Sequence, residues 1–194
     1  MLVHGFQGNP FDMRVFKACI AEKNPDALFL SSSANEGVND GDIMEMGVRL
    51  AQDVKAFVSE WCPGDELGRI SFVGHSLGGL VIRAALPYLE EYNQKMHLYM
   101  SLSSPHLGYS FNNNGLVKFG LWILKKFKKN QVMRQLTFAD AKDPEDSVLF
   151  RLSEMEGLSW FNHIALVSSF QDRYVPFESS RIEVSNKIDK SRQG

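Results

Sequence analysis

Ile70-Ser71-Phe72-Val73-Gly74-His75-Ser76-Leu77-Gly78-Gly79 decides the reading of this chain. The run Ile70 to Val73 predicts a short strand, and the apolar stretch from Leu80 to Leu89 predicts a helix. Between them stands Gly-x-Ser-x-Gly. Chance alone gives about 0.1 such matches in a chain of this composition, so the flanking elements carry the weight. A strand that enters a helix through so sharp a turn lifts the serine hydroxyl above the sheet edge. The glycines two before and two after remove side chains that would collide there. Ser76 is the candidate nucleophile; the alternative is a Gly-rich turn with a bystander serine.

Working outward, Leu2-Val3 reads as the end of another strand, followed by His4-Gly5-Phe6-Gln7-Gly8. Acyl transfer passes through a tetrahedral oxyanion that needs two preorganised N–H donors. The N–H of Leu77, after the nucleophile, and that of Phe6, in the small-residue loop, are the candidate pair. Taken alone, His-Gly-x-x-Gly is equally a plain turn. Downstream, Ile164 to Val167 predicts a late strand, and Asp172 lies just past its carboxyl end. A carboxylate there can orient an imidazole and stabilise its cation, or it can cap a turn before Pro176. Asp140, Asp143 and Asp146 follow no predicted strand and rank lower.

The remaining apolar runs complete the pattern. Pro10 to Ala21 has near-helical spacing, Ala27 to Leu30 reads as a short buried strand, and His97 to Leu102 as another. Ile43 to Trp61 is an amphipathic helix of about five turns, with Asp42 placed to cap it. A helical cap insertion is expected at about 110–158. Strands alternating with helices, each strand nearly all apolar, predict an α/β domain. Its sheet should be mainly parallel and covered on both faces. Residues 1–182 are expected to form this core and 183–194 a polar tail.

Composition bounds the function. The chain of 194 residues suits one domain, and 44% hydrophobic with 23% charged residues excludes disorder, collagen and coiled coil as the main architecture. Lys+Arg of 21 against Asp+Glu of 23 leaves about −2, with no basic field for nucleic acid. Two cysteines, Cys19 and Cys62, make neither a disulfide framework nor a zinc site and read as free thiols in a reducing compartment. Neither metal nor cofactor is called for. No secretory leader is seen and no run approaches a transmembrane span, so a cytoplasmic protein is expected. Within 116–129 the lysines 118, 125, 126, 128 and 129 lie opposite an apolar arc on a helical wheel. Such a basic amphipathic helix suits peripheral membrane contact or a lid; it equally suits a packed cap with solvated lysines.

Four motifs together carry a resemblance: Val3-His4-Gly5-Phe6-Gln7-Gly8, Gly74 to Gly79, Ser103-Ser104-Pro105-His106-Leu107-Gly108 and Gln171-Asp172-Arg173-Tyr174-Val175-Pro176. In this order they resemble the serine esterases of the lipase-like α/β-hydrolases. They resemble more closely the carboxyl-terminal hydrolase domain of a large vertebrate protein family. The resemblance spans roughly residues 1–182. It implies an α/β-hydrolase fold, a Ser-Asp-His triad and carboxylic-ester or lipid substrates. It carries Ser76 over as nucleophile, Asp172 as acid, and Phe6 and Leu77 as oxyanion donors.

One expected part is missing. The family's histidine follows the acid, yet all five histidines of this chain precede Asp172. His106 is the only substitute on the correct sheet edge, and its stretch looks like a structural turn. The sequence therefore reads as a hydrolase truncated at both ends, with little activity of its own. A non-catalytic α/β-hydrolase scaffold that binds lipid or protein partners is the alternative.

Overall fold

The fold was obtained as a computed structural model, which describes residues 1–38, 41–109 and 130–183. Strands β1 (Leu2–Val3), β2 (Ile70–His75), β3 (Met96–Leu102) and β4 (His163–Val167) form one sheet in the order β1-β2-β3-β4. Every pairing is parallel, with Val3 opposite Gly74, Val73 opposite Met100 and Leu102 opposite Val167. Parallel neighbours need a crossover between them, and helices supply it. Helices α1 (Arg14–Lys23) and α2 (Ile43–Trp61) lie between β1 and β2, and α3 (Leu77–Ala85) between β2 and β3. Helices α4 (Gln131–Leu136) and α5 (Val148–Glu154) lie between β3 and β4, and α6 (Phe177–Arg181) follows β4. The α/β class and the parallel sheet are as the apolar runs predict.

Side-chain alternation along the strands divides the core into two unequal parts. Val3 and Phe72 face a large cluster with Ile43, Leu50 and Val54 of α2, Leu80 and Ile82 of α3, and Leu149 and Leu152 of α5. Leu2 and Val73 point the other way, and among the described residues only Met13 joins them there as a buried residue. Phe16, Phe29, Met100 and Leu102 pack around that group half-buried. Helix α1 has no buried residue at all. The sheet is thus covered on both faces, heavily on one and thinly on the other, and the thin side becomes important below.

Asp42 caps α2 as its position predicts, with Oδ1 accepting from the N–H groups of Met44 at 2.7 Å and Glu45 at 3.3 Å. Its other oxygen accepts from Nε2 of the fully buried Gln135, whose Oε1 accepts from Ile43 N–H at 3.0 Å. Asp42→Ala removes the cap and strands a buried amide donor, so it should cost about 2 kcal/mol. The check is a lower urea midpoint at constant m; an unchanged midpoint would mean that the α2–α4 staple adds nothing.

Three expectations are corrected. Ala27–Leu30 is not a buried strand: Leu28 is exposed, and only a parallel bridge from Leu2 to Ser31 remains, flanked by Leu2 N–H to Leu30 C=O and Ser32 N–H to Leu2 C=O. Helix α3 starts at Leu77 instead of Leu80, and its α-geometry gives way to a 3₁₀ segment, Leu86–Lys95, where Pro87 removes a donor. Strand β4 is not covered like the others, with Ile164 50% and Val167 46% exposed, because among the described residues it has one neighbouring strand and lies at the sheet edge. The described part of the insertion, 130–158, is helical but buries Val132, Met133, Leu149 and Leu152 in the main core, as a packed wall of the domain. Residues 110–129, with the basic stretch 116–129, and residues 184–194 of the expected tail lie outside the described residues. Among the described residues no helix is long and apolar enough to cross a membrane.

Candidate active site

The carboxyl edge of the sheet is where the chain departs from ordinary backbone geometry. Gln7, Ser76 and Ser103 follow β1, β2 and β3 in turn, and take φ of 55°, 52° and 50°. Left-handed conformations cost a non-glycine residue roughly 1–3 kcal/mol and persist where the surroundings impose them. Ser76 has φ 52° and ψ −122° and occupies the N-cap position of α3 without a side-chain cap bond, so its hydroxyl is not consumed by its own helix. Its N–H donates to Leu102 C=O at 2.8 Å, and Ser103 N–H donates to Val167 C=O at 2.9 Å. These two bonds tie the ends of β2, β3 and β4 into one rim.

Glycines bring the rim together by close backbone approach. A Cβ on Gly74 would lie 2.5 Å from the amide nitrogen of Gly79, so the turn closes only without it. A Cβ on Gly78 would lie 2.7 Å from the carbonyl oxygen of His4 and nearer still to that of Val3. A Cβ on Gly5 would lie 3.0 Å from Cβ of Ser76. The loop after β1 therefore rests directly against the serine turn. That loop is closed by Gly8 N–H to Gly5 C=O at 3.0 Å, with Phe6 next to Gly5 in it. Leu77, as the first residue of α3, has an N–H with no intrahelical acceptor. Phe6 lines one cleft with Ser76, and Leu77 follows Ser76 in the chain.

Asp172 lies in the segment after β4, a strand that stands two spacings, or ~10 Å, across the sheet from β2. Its Oδ1 accepts from the N–H groups of Tyr174 at 2.8 Å and Val175 at 3.1 Å, which is the turn-capping role. Its second oxygen makes no hydrogen bond among the described residues, so the carboxylate is anchored by one oxygen and offers the other. Burial first, and the Asp172 charge second, push the Tyr109 phenol pKa up, which puts that carboxylate within electrostatic range of the loop after β3. The lower-ranked aspartates serve helix ends: Asp143 accepts from Glu145 N–H, and Asp140 from Val148 N–H.

With this geometry in view, comparison with known proteins is decisive for the family. The family described as "Putative serine esterase (DUF676)" matches residues 1–185. The chain belongs to this serine esterase family. It is 31% identical over 134 residues to a Saccharomyces cerevisiae protein described as a putative lipase. That match covers 62% of this chain and 20% of the yeast protein, so the chain spans about a fifth of that relative's length. It superposes on the mature form of the Bacillus licheniformis lipase BlEst2 with a TM-score of 0.55 at 17% identity, over 89% of this chain and 67% of that one. The propeptide form gives 0.51 at 18%, over 84% and 34%. These structural likenesses establish an α/β-hydrolase fold.

The five histidines of this serine esterase family member are all described, and each has a place. His97 and His163 stack edge to face with ring centroids 5.1 Å apart on β3 and β4, near the amino ends of the strands, away from Ser76. His4 is buried beside its own loop, Nδ1 3.0 Å from Gly5 C=O. His106 is 3% exposed, with Nε2 2.9 Å from Ser101 Oγ and Nδ1 3.4 Å from Nη1 of Arg83. Arginine only donates, so Nδ1 accepts and Nε2–H donates, leaving the ring neutral and fully engaged. Burial, and then the Arg83 charge, push the His106 pKa down to about 3. His106 is a structural residue of the loop after β3. His75 lines a cleft together with Ser76, but no hydrogen bond joins the two side chains.

That cleft is the feature the sequence reading missed. It has a volume of about 450 Å³ and is lined by Ser76, Phe6 and Leu102 together with Met13, Val15, Phe16 and Cys19. The helical period of residues 10–21 was legible, but period alone does not tell a face that packs on the core from a face that walls a cleft.

Proposed function

We propose that this chain carries the nucleophile half of a serine ester hydrolase acting on carboxylic esters. Ser76 Oγ adds to the ester carbonyl carbon, and the oxyanion accepts hydrogen bonds from the N–H groups of Phe6 and Leu77. Collapse breaks the C–O bond, and the proton lost by the serine reaches the departing alkoxide through a base. Water then repeats the sequence on the acyl-serine and releases the carboxylic acid. Asp172 is the acid that orients the base. The observation that carries this reading is the left-handed Ser76, abutted by Gly5 and set between a strand and a helix N-terminus.

The base is an imidazole that none of the chain's five histidines provides. The expected result is low turnover of p-nitrophenyl butyrate, at the residual level of about 10³–10⁴ over water left when a triad member is missing. After subtraction of the rate with imidazole alone, added imidazole should raise that turnover in the wild type and not in Ser76→Ala. A fluorophosphonate probe under the same conditions should label the wild type only. Equal labelling of Ser76→Ala would refute the nucleophile. No labelling of either protein would favour the alternative reading, a scaffold that binds lipid or protein partners, for which the missing base is the supporting observation.

A further inference from the structure

We infer that the cleft beside Ser76 holds a neutral aliphatic acyl chain, laid against α1, and that Val15, Phe16 and Cys19 set the preference for chain length. This rests on the reading of Ser76 as nucleophile and adds what that reading leaves open, the nature and position of the acyl group.

Three observations converge. The first is the imbalance of the core: opposite the large cluster, among the described residues, Leu2 and Val73 of the sheet are joined by Met13 as the one further buried residue, with Phe16, Phe29, Met100 and Leu102 half-buried around them. An amphipathic helix ordinarily spends its apolar stripe on the core. Helix α1 carries Val15, Phe16, Ala18, Cys19 and Ile20 and buries none of them. Phe16 is half-buried against that group of Leu2, Met13 and Val73, and Val15 and Cys19 are left exposed among the described residues.

The second is continuity with the reacting centre. The cleft has Ser76 and Phe6 among its lining residues, with Met13, Phe16 and Cys19 on the wall. A volume of about 450 Å³ falls within the range of roughly 300–1,000 Å³ usual for small-molecule sites. Val15 and Cys19, four residues apart on the helix, add a wall of about 6 Å, long enough to separate a short acyl group from a medium one.

The third is charge. Among the described residues no lysine or arginine lines the cleft, and the one carboxylate is that of Asp12. Its Oδ2 accepts from Asn9 N–H at 2.9 Å, and Asn9 Oδ1 accepts from Phe11 N–H at 2.9 Å, so a capping box of the 3₁₀ turn Pro10–Met13, which precedes α1, fixes the carboxylate. A phosphate or carboxylate ligand would meet repulsion and no counter-charge, whereas an alkyl chain exchanges water for side-chain contacts. The same carboxylate disfavours retention of the acid product.

The experiment uses two phosphonofluoridates, methyl and octyl, whose P–C chain stands where the acyl chain would stand. Each reacts by forming an Oγ–P bond with loss of fluoride and transfer of the serine proton to added imidazole. In Cys19→Trp the indole fills the cleft, and the ratio of octyl to methyl labelling rates at Ser76 should fall about tenfold. Cys62→Ser, outside the cleft, serves as control for handling of the thiols, and circular dichroism confirms that each variant is folded. A ratio that stays within twofold would overturn the inference.

A second arm does not need the nucleophile. N-octyl dansylamide, a neutral fluorescent amphiphile, should bind Ser76→Ala and lose at least tenfold in affinity when Cys19→Trp is added; octanesulfonate should not displace it. Unchanged affinity in the double variant overturns the cleft assignment whatever the labelling shows. Loss of affinity with no Ser76 labelling sustains the cleft and counts against the proposed reaction alone.

Discussion

Gly78→Ala is expected to lower the stability of the domain by about 2–4 kcal/mol and to slow fluorophosphonate labelling of Ser76 by about a hundredfold. The added methyl would lie 2.7 Å from the carbonyl oxygen of His4 and closer still to that of Val3. Both are backbone atoms of the strand and loop that carry Phe6, so neither can rotate aside as a side chain would. Relief requires α3 and β1 to separate, which moves the N–H of Leu77 away from the N–H of Phe6. On the proposed reading of Phe6 and Leu77 as the oxyanion donors, two N–H groups that no longer converge are worth little more than one, and losing one such donor costs roughly 10²–10³ in rate. Urea unfolding and a labelling time course measure the two effects separately. Gly68→Ala is the control: a Cβ there meets nothing within 4 Å, and its effect should stay within about 0.5 kcal/mol. A Gly78→Ala protein as stable and as reactive as the parent would mean that the loop after β1 does not depend on its approach to α3.

Acidification should destabilise the fold through His106, by about 2–3 kcal/mol at pH 4.5 relative to pH 7.5. The folded-state pKa is pushed down to about 3 from the ordinary 6.5, first by burial and then by Arg83. A histidine depressed in this way binds its proton more readily in the unfolded chain. Its contribution is therefore fully present above about pH 6.5 and is lost as pH falls from there toward 3. Protonation would convert Nδ1 from acceptor to donor opposite Nη1 of Arg83, placing two buried cations side by side. Arg83 has little freedom to retreat, because its Nη2 donates to Leu152 C=O at 2.7 Å and so joins α3 to α5. His106→Asn does not titrate and should flatten the slope between pH 7 and 4.5 while lowering stability throughout. An identical slope in that variant would assign the acid sensitivity to other groups.

The elements differ in how openly the sequence displays them, and the reason is how local each determinant is. Helix α2 is found over Ile43–Trp61 as its period and its Asp42 cap predict, because period and cap are set within the segment. Strands β2 and β3 are likewise where their apolar runs place them, flanking the turn that carries Ser76. Ala27–Leu30 has the same kind of run, yet makes only a bridge at Ser31, because a strand exists through its partner and not through its composition. Helix α1 shows the converse: its period is correct, but whether Phe16 and Cys19 are core or cleft depends on how much of the other sheet face is covered.

For the site, residue types and their order suffice to point at Ser76, Phe6, Leu77 and Asp172, since the oxyanion and the strained turn demand particular chemistry at particular offsets. The sequence by itself determined the fold class, the family and this candidate set, because each rests on short-range pattern. Only the tertiary structure decided that the loop after β1 rests against Ser76 through Gly5 and Gly78, that His106 is held neutral in a buried network with Arg83, and that α1 walls a cleft. Those facts depend on packing between segments far apart in the chain, where a distance of a few tenths of an ångström separates a contact from a clash, and no local pattern encodes that distance.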